Sequence, residues 1–195
     1  MATSSFGQGF TCTMIQEAAA ICSVINGGYY YKPHVVKEVT DSSGALIASS
    51  EPILERRTVS EGISKEIREA MGTVLTMEGT GYLAKIPGYT MGGKTCTAEK
   101  LPRDRGNYIL SYVGFAPLDD PEVLVYVTVD EPNTNNQETT IYAMRIARNI
   151  FSELLPYMNI YPDERGYTSS DIPTKLITNA DLLYGNYQAT EDGPV

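Results

Sequence analysis

Two stretches rich in valine, isoleucine and tyrosine, joined by a short turn, limit the folds open to this chain. Tyr108 to Phe115 and Val123 to Val129 have the composition of β-strands. Pro117-Leu118-Asp119-Asp120-Pro121 between them consists of turn residues. A third strand is predicted just before them, at about Tyr89 to Ala98. Because consecutive strands with short connections pair side by side, the sequence predicts an antiparallel meander.

Amphipathic helices are predicted on both sides of this meander. Thr13 is followed three residues later by Gln16, which is the spacing of a capping box, and Asn26-Gly27-Gly28 is a stop signal. A last helix, about Thr139 to Met158, should pack on one face of the sheet. The predicted fold class is α/β in the broad sense, more narrowly α+β: an antiparallel sheet flanked by helices, with the strand of Lys94 at one edge.

A hairpin and a further helix are predicted between these elements. Residues 35–40 and 46–49 flank Asp41-Ser42-Ser43-Gly44, a pattern typical of a β-hairpin. Ser64 is predicted to cap the second helix, with Glu66 in its first turn. The predicted buried stripe of that helix consists of Ile67, Ala70, Met71, Val74 and Leu75.

Composition argues against several classes of protein. The formal net charge of −9 disfavours a nucleic-acid partner. No apolar run approaches the roughly 18 residues that a membrane-spanning helix needs, and the polar start of the chain does not resemble a signal peptide. His34 is the only histidine and follows a proline, so we expect a surface or turn residue rather than a catalyst.

The composition shifts after Pro162. Residues 163–195 mix glycine, aspartate, threonine, serine and tyrosine, with one short apolar patch at Leu182-Leu183-Tyr184. Such a stretch buries too little apolar surface to fold by itself. The sequence therefore predicts one domain portion over residues 1–162 and a polar tail or linker over residues 163–195.

The stretch Gly92-Gly93-Lys94-Thr95-Cys96-Thr97 has the composition of a ligand-binding strand. Its glycines permit close approach to another element. A lysine flanked by hydroxyl groups on a strand edge can hold a carboxylate, although taken alone this motif more often indicates a plain strand with an exposed lysine. Side chains alternate along a strand, so Lys94 and Cys96 should share one face.

Several motifs in this chain occur in one known family, and in the same order. Lys94-Thr95-Cys96 is similar to the Lys-Thr-Gly motif of penicillin-binding proteins and serine β-lactamases. The others are Ser5-Phe6-Gly7-Gln8-Gly9-Phe10, Glu78-Gly79-Thr80-Gly81, Ile86-Pro87-Gly88-Tyr89, Val113-Gly114-Phe115-Ala116-Pro117 and Asp130-Glu131-Pro132. From about Ser4 to Pro162 the chain resembles the class B penicillin-binding proteins, which are monofunctional peptidoglycan D,D-transpeptidases.

The resemblance implies acyl transfer by a serine nucleophile on the transpeptidase fold. Lys94 would supply positive charge beside the nucleophile, Thr95 would bind the substrate carboxylate, and the N–H of Thr97 would join the oxyanion hole. Gly7-Gln8-Gly9 would line the floor of the cleft, and Cys96, in place of the motif's glycine, would also face the substrate.

The family's nucleophile motif Ser-x-x-Lys and its Ser-x-Asn motif are absent from this chain. Both precede the Ser-Phe-Gly-Gln-Gly loop in that family. The chain therefore resembles the C-terminal part of a transpeptidase domain, and by itself it is predicted to be inactive.

The same resemblance implies partners and a location. The partners would be peptidoglycan stem peptides, β-lactams and a cell-wall glycosyltransferase, with no cofactor required. The location would be the extracytoplasmic face of the bacterial membrane, with the anchor in a segment absent from this chain. The alternative is a non-catalytic binding or regulatory module that retains the fold.

The three cysteines are an odd number and do not indicate a disulfide framework, so they are buried thiols, one bridge with a spare thiol, or metal ligands. Cys22 lies on the apolar stripe of the first helix and is expected to be a core residue. Cys12 follows the cleft loop and Cys96 replaces the motif's glycine, so by resemblance the two lie near one cleft. They are predicted to bind a structural zinc ion, to form a disulfide, or to be inert thiols.

Overall fold

The structure is a computed structural model that describes residues 11–102, 105–134 and 136–164. The predicted cleft loop with Gly7, Gln8 and Gly9 lies outside the described residues, as does the predicted tail from residue 165 onward. The chain divides into two compact units between Glu69 and Ala70. The boundary predicted after Pro162 remains a prediction.

Helices and strands alternate in blocks along the described residues. In chain order they are α1 (Met14–Ile25), β1 (Tyr29–Tyr31), β2 (Glu38–Thr40), β3 (Leu46–Ser49), β4 (Leu54–Arg57), α2 (Glu61–Thr73), β5 (Gly92–Glu99), β6 (Tyr108–Ala116), β7 (Val123–Asp130) and α3 (Ile141–Tyr157). A 3₁₀ turn at Tyr82–Ala84 lies in the connector before β5. None of these helices is long and apolar enough to cross a membrane.

The first helix is built as its sequence predicts. The backbone N–H of Gln16 donates to the Thr13 hydroxyl at 3.3 Å, and the Gln16 side chain accepts from the Thr13 N–H at 2.9 Å. This reciprocal pair is a capping box, and it satisfies two donors that the helix itself leaves free. Asn26 caps the other end by donating its N–H to the Cys22 carbonyl at 3.1 Å.

The predicted hairpin is present as the antiparallel pair β2–β3. The Asp41 carboxylate closes its turn by accepting from the N–H groups of Ser43 at 2.8 Å and Ala45 at 2.9 Å. The Ser43 hydroxyl also donates to this carboxylate. Its hydrogen bond, followed by those of the two N–H groups, lowers the pKa of Asp41. Strand β2 starts at Glu38 rather than at residue 35, and β1 pairs with a strand, β4, that was not predicted.

The prediction that Ser64 caps the second helix is wrong. Helix α2 starts at Glu61, and the Ser60 hydroxyl accepts from the Ile63 N–H at 3.3 Å. Ser64 lies inside the helix and is fully buried. Its hydroxyl accepts from the buried Gly27 N–H at 2.9 Å, so this serine serves the turn after α1 rather than a helix terminus.

The buried stripe predicted for α2 is only partly correct. The helix ends at Thr73, before Val74 and Leu75. Leu75 is buried in the core, whereas Ala70 is exposed. The apolar side chains beyond Thr73 are positioned by a tight turn rather than by helical periodicity.

The second unit contains the predicted meander. Its three strands are antiparallel in the order β5-β6-β7, so the strand of Lys94 is at one edge, as predicted. Helix α3 packs across one face of this sheet, which confirms its predicted position. The core between them includes Tyr112, Val125, Val127, Ala143, Met144, Ala147, Phe151 and Leu155.

Candidate functional site

Four of the predicted site residues, Lys94, Thr95, Cys96 and Thr97, lie along β5. Strand β6 pairs with one side of β5, and within the described ranges no strand pairs with its other side. Lys94 and Cys96 are exposed, and Thr95 between them is half-buried. The Lys94 ammonium donates to the Thr95 carbonyl at 2.5 Å. Strand β5 therefore carries an exposed ammonium group, a half-buried hydroxyl group and an exposed thiol at consecutive positions.

The two glycines that begin β5 are required by the packing of β6. A Cβ atom on Gly92 would lie 2.3 Å from the Phe115 ring, and one on Gly93 would lie 2.5 Å from the Tyr112 hydroxyl oxygen. Both aromatic side chains are fully buried. The close approach predicted from the glycines is therefore an approach of β5 to the aromatic side chains of β6. This packing fixes the position of the strand that carries Lys94.

A second hydroxyl group lies beside Thr95. The Oγ1 atoms of Thr80 and Thr95 are 3.2 Å apart. Thr80 is held by a tight turn in which the Gly81 N–H donates to the Val74 carbonyl at 2.9 Å. A Cβ atom on Gly79 would lie 2.2 Å from that same carbonyl oxygen, so only glycine fits there. This turn places the two threonine hydroxyls together at the open edge.

The other end of β5 is tied to the neighbouring loops. The Thr97 hydroxyl donates to the Glu138 carbonyl at 3.3 Å. Lys100 pairs with Asp130 at 3.0 Å and with Glu131 at 2.6 Å. Hydrogen bonds to Glu131 and then to Asp130 raise the pKa of Lys100. The Asp130-Glu131 motif therefore joins the end of β7 to the residue that follows β5.

The described residues do not complete the predicted zinc site. All three cysteines are free thiols. Cys12 donates its S–H to the Glu17 carboxylate at 3.4 Å, and burial followed by this contact raises the pKa of the thiol. Zinc needs the thiolate, and residues 11–102, 105–134 and 136–164 contain no cluster of three or more metal-binding side chains. A zinc ion shared by Cys12 and Cys96 remains a prediction that needs further ligands.

Cys22 and His34 line a surface groove of the first unit, with a volume of about 290 Å³. Cys22 is half-buried rather than enclosed in a core, and burial raises the pKa of its thiol. His34 is exposed, as predicted, and its Nδ1 lies 3.4 Å from the Lys32 carbonyl oxygen.

The structure brings four of the predicted site residues together on one strand: Lys94, Thr95, Cys96 and Thr97. Sequence reasoning assigned no role to Thr80. The signal was present, because Thr80 lies in one of the motifs that carried the family resemblance. What the sequence did not show is that this motif folds back onto the strand of Lys94.

The antiparallel sheet, the helix across it and the hydroxyl-lined lysine strand at its edge together define a class of protein. The model of the penicillin-binding protein transpeptidase domain matches residues 1–152. This chain belongs to that family.

Named relatives and solved structures agree with this assignment. The chain is 39% identical to stage V sporulation protein D of Bacillus subtilis over 91% of its own length. It is 29% identical to the probable peptidoglycan D,D-transpeptidase PenA of Neisseria flavescens over 83% of its length. The transpeptidase domain of penicillin-binding protein 3 from Burkholderia pseudomallei superposes with a TM-score of 0.71 at 29% identity over 84% of the chain.

The chain corresponds to only part of these proteins. It spans 29% of the Bacillus protein and 38% of the Neisseria protein. It covers 47% of the Burkholderia transpeptidase domain.

Proposed function

We propose that this chain is the C-terminal part of a peptidoglycan D,D-transpeptidase that cross-links stem peptides by serine acyl transfer and is acylated by β-lactams. The observation that carries the proposal is strand β5, which has one unpaired side within the described sheet and on which exposed Lys94 is followed by Thr95, whose hydroxyl lies 3.2 Å from that of Thr80. The nucleophilic serine would come from the part of the domain that this chain does not contain.

Each group at this edge has a chemical task in the proposed reaction. The Lys94 ammonium provides positive charge for the substrate carboxylate and for the reacting serine. The Thr95 hydroxyl donates its proton to the carboxylate, and the Thr80 hydroxyl orients it by donating to the Thr95 oxygen. The Thr97 N–H donates to the oxygen that becomes negative as the serine attacks the carbonyl carbon.

The wider setting follows from the same proposal. The substrates are stem peptides, β-lactams compete for the same cleft, and the working partner is a cell-wall glycosyltransferase. The protein acts at the extracytoplasmic face of the membrane through an anchor outside this chain. A Burkholderia ambifaria protein described as a peptidoglycan glycosyltransferase has the same fold over 84% of this chain, with a TM-score of 0.63.

One residue favours a second candidate function. Cys96 stands where the family motif has glycine, and its side chain is exposed beside Lys94. Glycine at this position in the family keeps the strand clear of the element that carries the nucleophile, and a thiol would fill that gap. A non-catalytic module that binds peptidoglycan or regulates a partner is therefore the alternative.

Labelling with a fluorescent penicillin tests the proposal. The isolated chain should form no covalent adduct, because it contains no activated serine, whereas the complete protein should be acylated. Thr95→Val in the complete protein should slow acylation roughly tenfold, the effect of losing one hydrogen bond of about 1.4 kcal/mol. The matched control is Thr128→Val on β7, which removes a hydroxyl outside the site.

Two outcomes would contradict the proposal. Adduct formation on the isolated chain would show that the nucleophile lies within it. A complete protein that is not acylated would favour the non-catalytic module.

A further inference from the structure

The segment that follows α3 turns back toward the start of β5. Asn159 has a positive φ of 59°, a left-handed conformation that asparagine tolerates at a helix terminus. The Ile160 N–H then donates to the Leu155 carbonyl at 2.9 Å, and Ile160 is buried. This cap fixes the direction in which the chain leaves the helix.

Residues 160–164 are hydrogen-bonded to residues 85–90, and we call this contact the C-terminal clasp. The Gly88 carbonyl accepts from the N–H groups of both Asp163 at 2.9 Å and Glu164 at 3.0 Å. The Glu164 carboxylate also forms an ion pair with Lys85 and accepts from the Gly88 N–H at 3.3 Å. The buried Tyr89 hydroxyl donates to the Ile160 carbonyl at 3.1 Å.

Thr90 joins this clasp to a third segment. Its N–H donates to the Asp163 carboxylate at 2.6 Å, and its hydroxyl also donates to that carboxylate. The same hydroxyl oxygen accepts from the Leu118 N–H at 3.2 Å, in the turn between β6 and β7. One threonine therefore links the post-α3 segment, the connector and the β6–β7 turn, two residues before β5 begins.

The path from Thr90 to the site is short and closely packed. Met91 is buried, and Gly92 and Gly93 are pressed against the aromatic side chains of β6 so tightly that neither has room for a Cβ atom. Lys94 and Thr95 follow directly. Because a close-packed interior transmits displacement, a shift of Thr90 moves the strand that carries the site.

We propose that Asp163 and Glu164 are positioning residues for the strand of Lys94 and Thr95. Through Thr90, Gly88 and Lys85 they fix where β5 starts, and so they fix the substrate-binding edge without touching substrate. The catalytic consequence rests on the proposed function, but the effect on the strand does not.

Hydrogen exchange measured on the complete protein tests the effect on the strand directly. Asp163→Ala and Glu164→Gln should each make the amides of Lys94 and Cys96, on the side of β5 that pairs with β6, exchange roughly tenfold faster, while the amides of α3 before Leu154 keep their protection. Asp163→Asn should recover part of the loss, since its amide oxygen still accepts from the Thr90 N–H. The control Glu69→Gln, which removes an exposed pair with Lys65 at 3.7 Å, should change nothing.

Acylation of the complete protein by a fluorescent penicillin tests the catalytic consequence. Asp163→Ala should lower the acylation rate roughly tenfold to hundredfold, as expected when reacting groups are displaced by about 1 Å. The core variant Val127→Ala should lower the melting temperature without lowering that rate, which separates positioning from general destabilisation.

Unchanged β5 exchange in both Asp163→Ala and Glu164→Gln would overturn the proposal. So would faster exchange accompanied by wild-type acylation. If the wild-type complete protein is not acylated at all, the proposed function fails, and hydrogen exchange alone decides whether the clasp positions the strand.

Discussion

Gly92 and Gly93 show how single residues determine the approach of β5 to its neighbours. We predict that Gly92→Ala destabilises the protein by about 1 to 3 kcal/mol, since the new Cβ would overlap the buried Phe115 ring. Urea denaturation measures this loss.

The matched control is Gly62→Ala in α2, where a Cβ atom meets nothing within 4 Å. Alanine should stabilise that helix by about 0.5 to 1 kcal/mol. Effects of the same sign at both positions would contradict the packing argument.

Cys12 allows a test of pH dependence at one thiol. Burial and Glu17 raise the pKa of this thiol, so its thiolate fraction at neutral pH is smaller than that of an ordinary cysteine, and alkylation accelerates only at higher pH. Glu17→Gln removes the negative charge and should speed alkylation of Cys12 at pH 8, as measured by mass spectrometry.

The internal reference is Cys96, which should react at the same rate in both proteins. An unchanged rate for Cys12 would show that Glu17 does not hold the thiol protonated.

Among helices and strands, one buried hydroxyl contributes to the link between α1 and α2, beside the hydrogen bond from Arg68 to the Ile25 carbonyl. Ser64 accepts from the buried Gly27 N–H at 2.9 Å and from Arg68 at 3.1 Å. Ser64→Ala leaves that N–H without a partner, and we predict a loss of about 1 to 3 kcal/mol in the free energy of unfolding.

Ser152→Ala in α3 is the comparison, because its hydroxyl only donates to the Asn149 carbonyl three residues earlier in the same helix. That change should stay within about 0.5 kcal/mol. Equal losses from both serine variants would refute the special role of Ser64.

The elements that were predicted correctly are marked by patterns among residues close together in the sequence. The capping box of Thr13 and Gln16 lies within four residues, and the meander strands are runs of β-branched and aromatic residues. Strand β4 reads Leu-Glu-Arg-Arg, which has no such signal, and it exists because β1 pairs with it. Ser64 has the residue type of a cap, but its hydroxyl accepts from the Gly27 N–H, a partner 37 residues away that no local pattern indicates.

For the chain as a whole, the sequence contains a motif for the candidate site but no comparable pattern for the contacts that support it. Lys94, Thr95 and Thr97 were identified through a motif, since their chemistry is written in consecutive residues. The clasp was not, because Asp163 and Thr90 are 73 residues apart and neither belongs to a recognisable pattern. Long-range hydrogen bonds of this kind depend on how α3 ends, which the sequence alone does not reveal.

The open edge of β5 has a second consequence, for handling the protein in solution. A strand with one unpaired side is a template on which another chain can add a strand, and natural proteins discourage this by placing lysine there. Lys94 belongs to β5, which has such an unpaired side within the described sheet. The residue proposed to attract a substrate carboxylate therefore also disfavours pairing of β5 with another chain. A variant that removes its charge to study activity would also promote aggregation, so Lys94→Arg, which retains the charge, is the safer first variant.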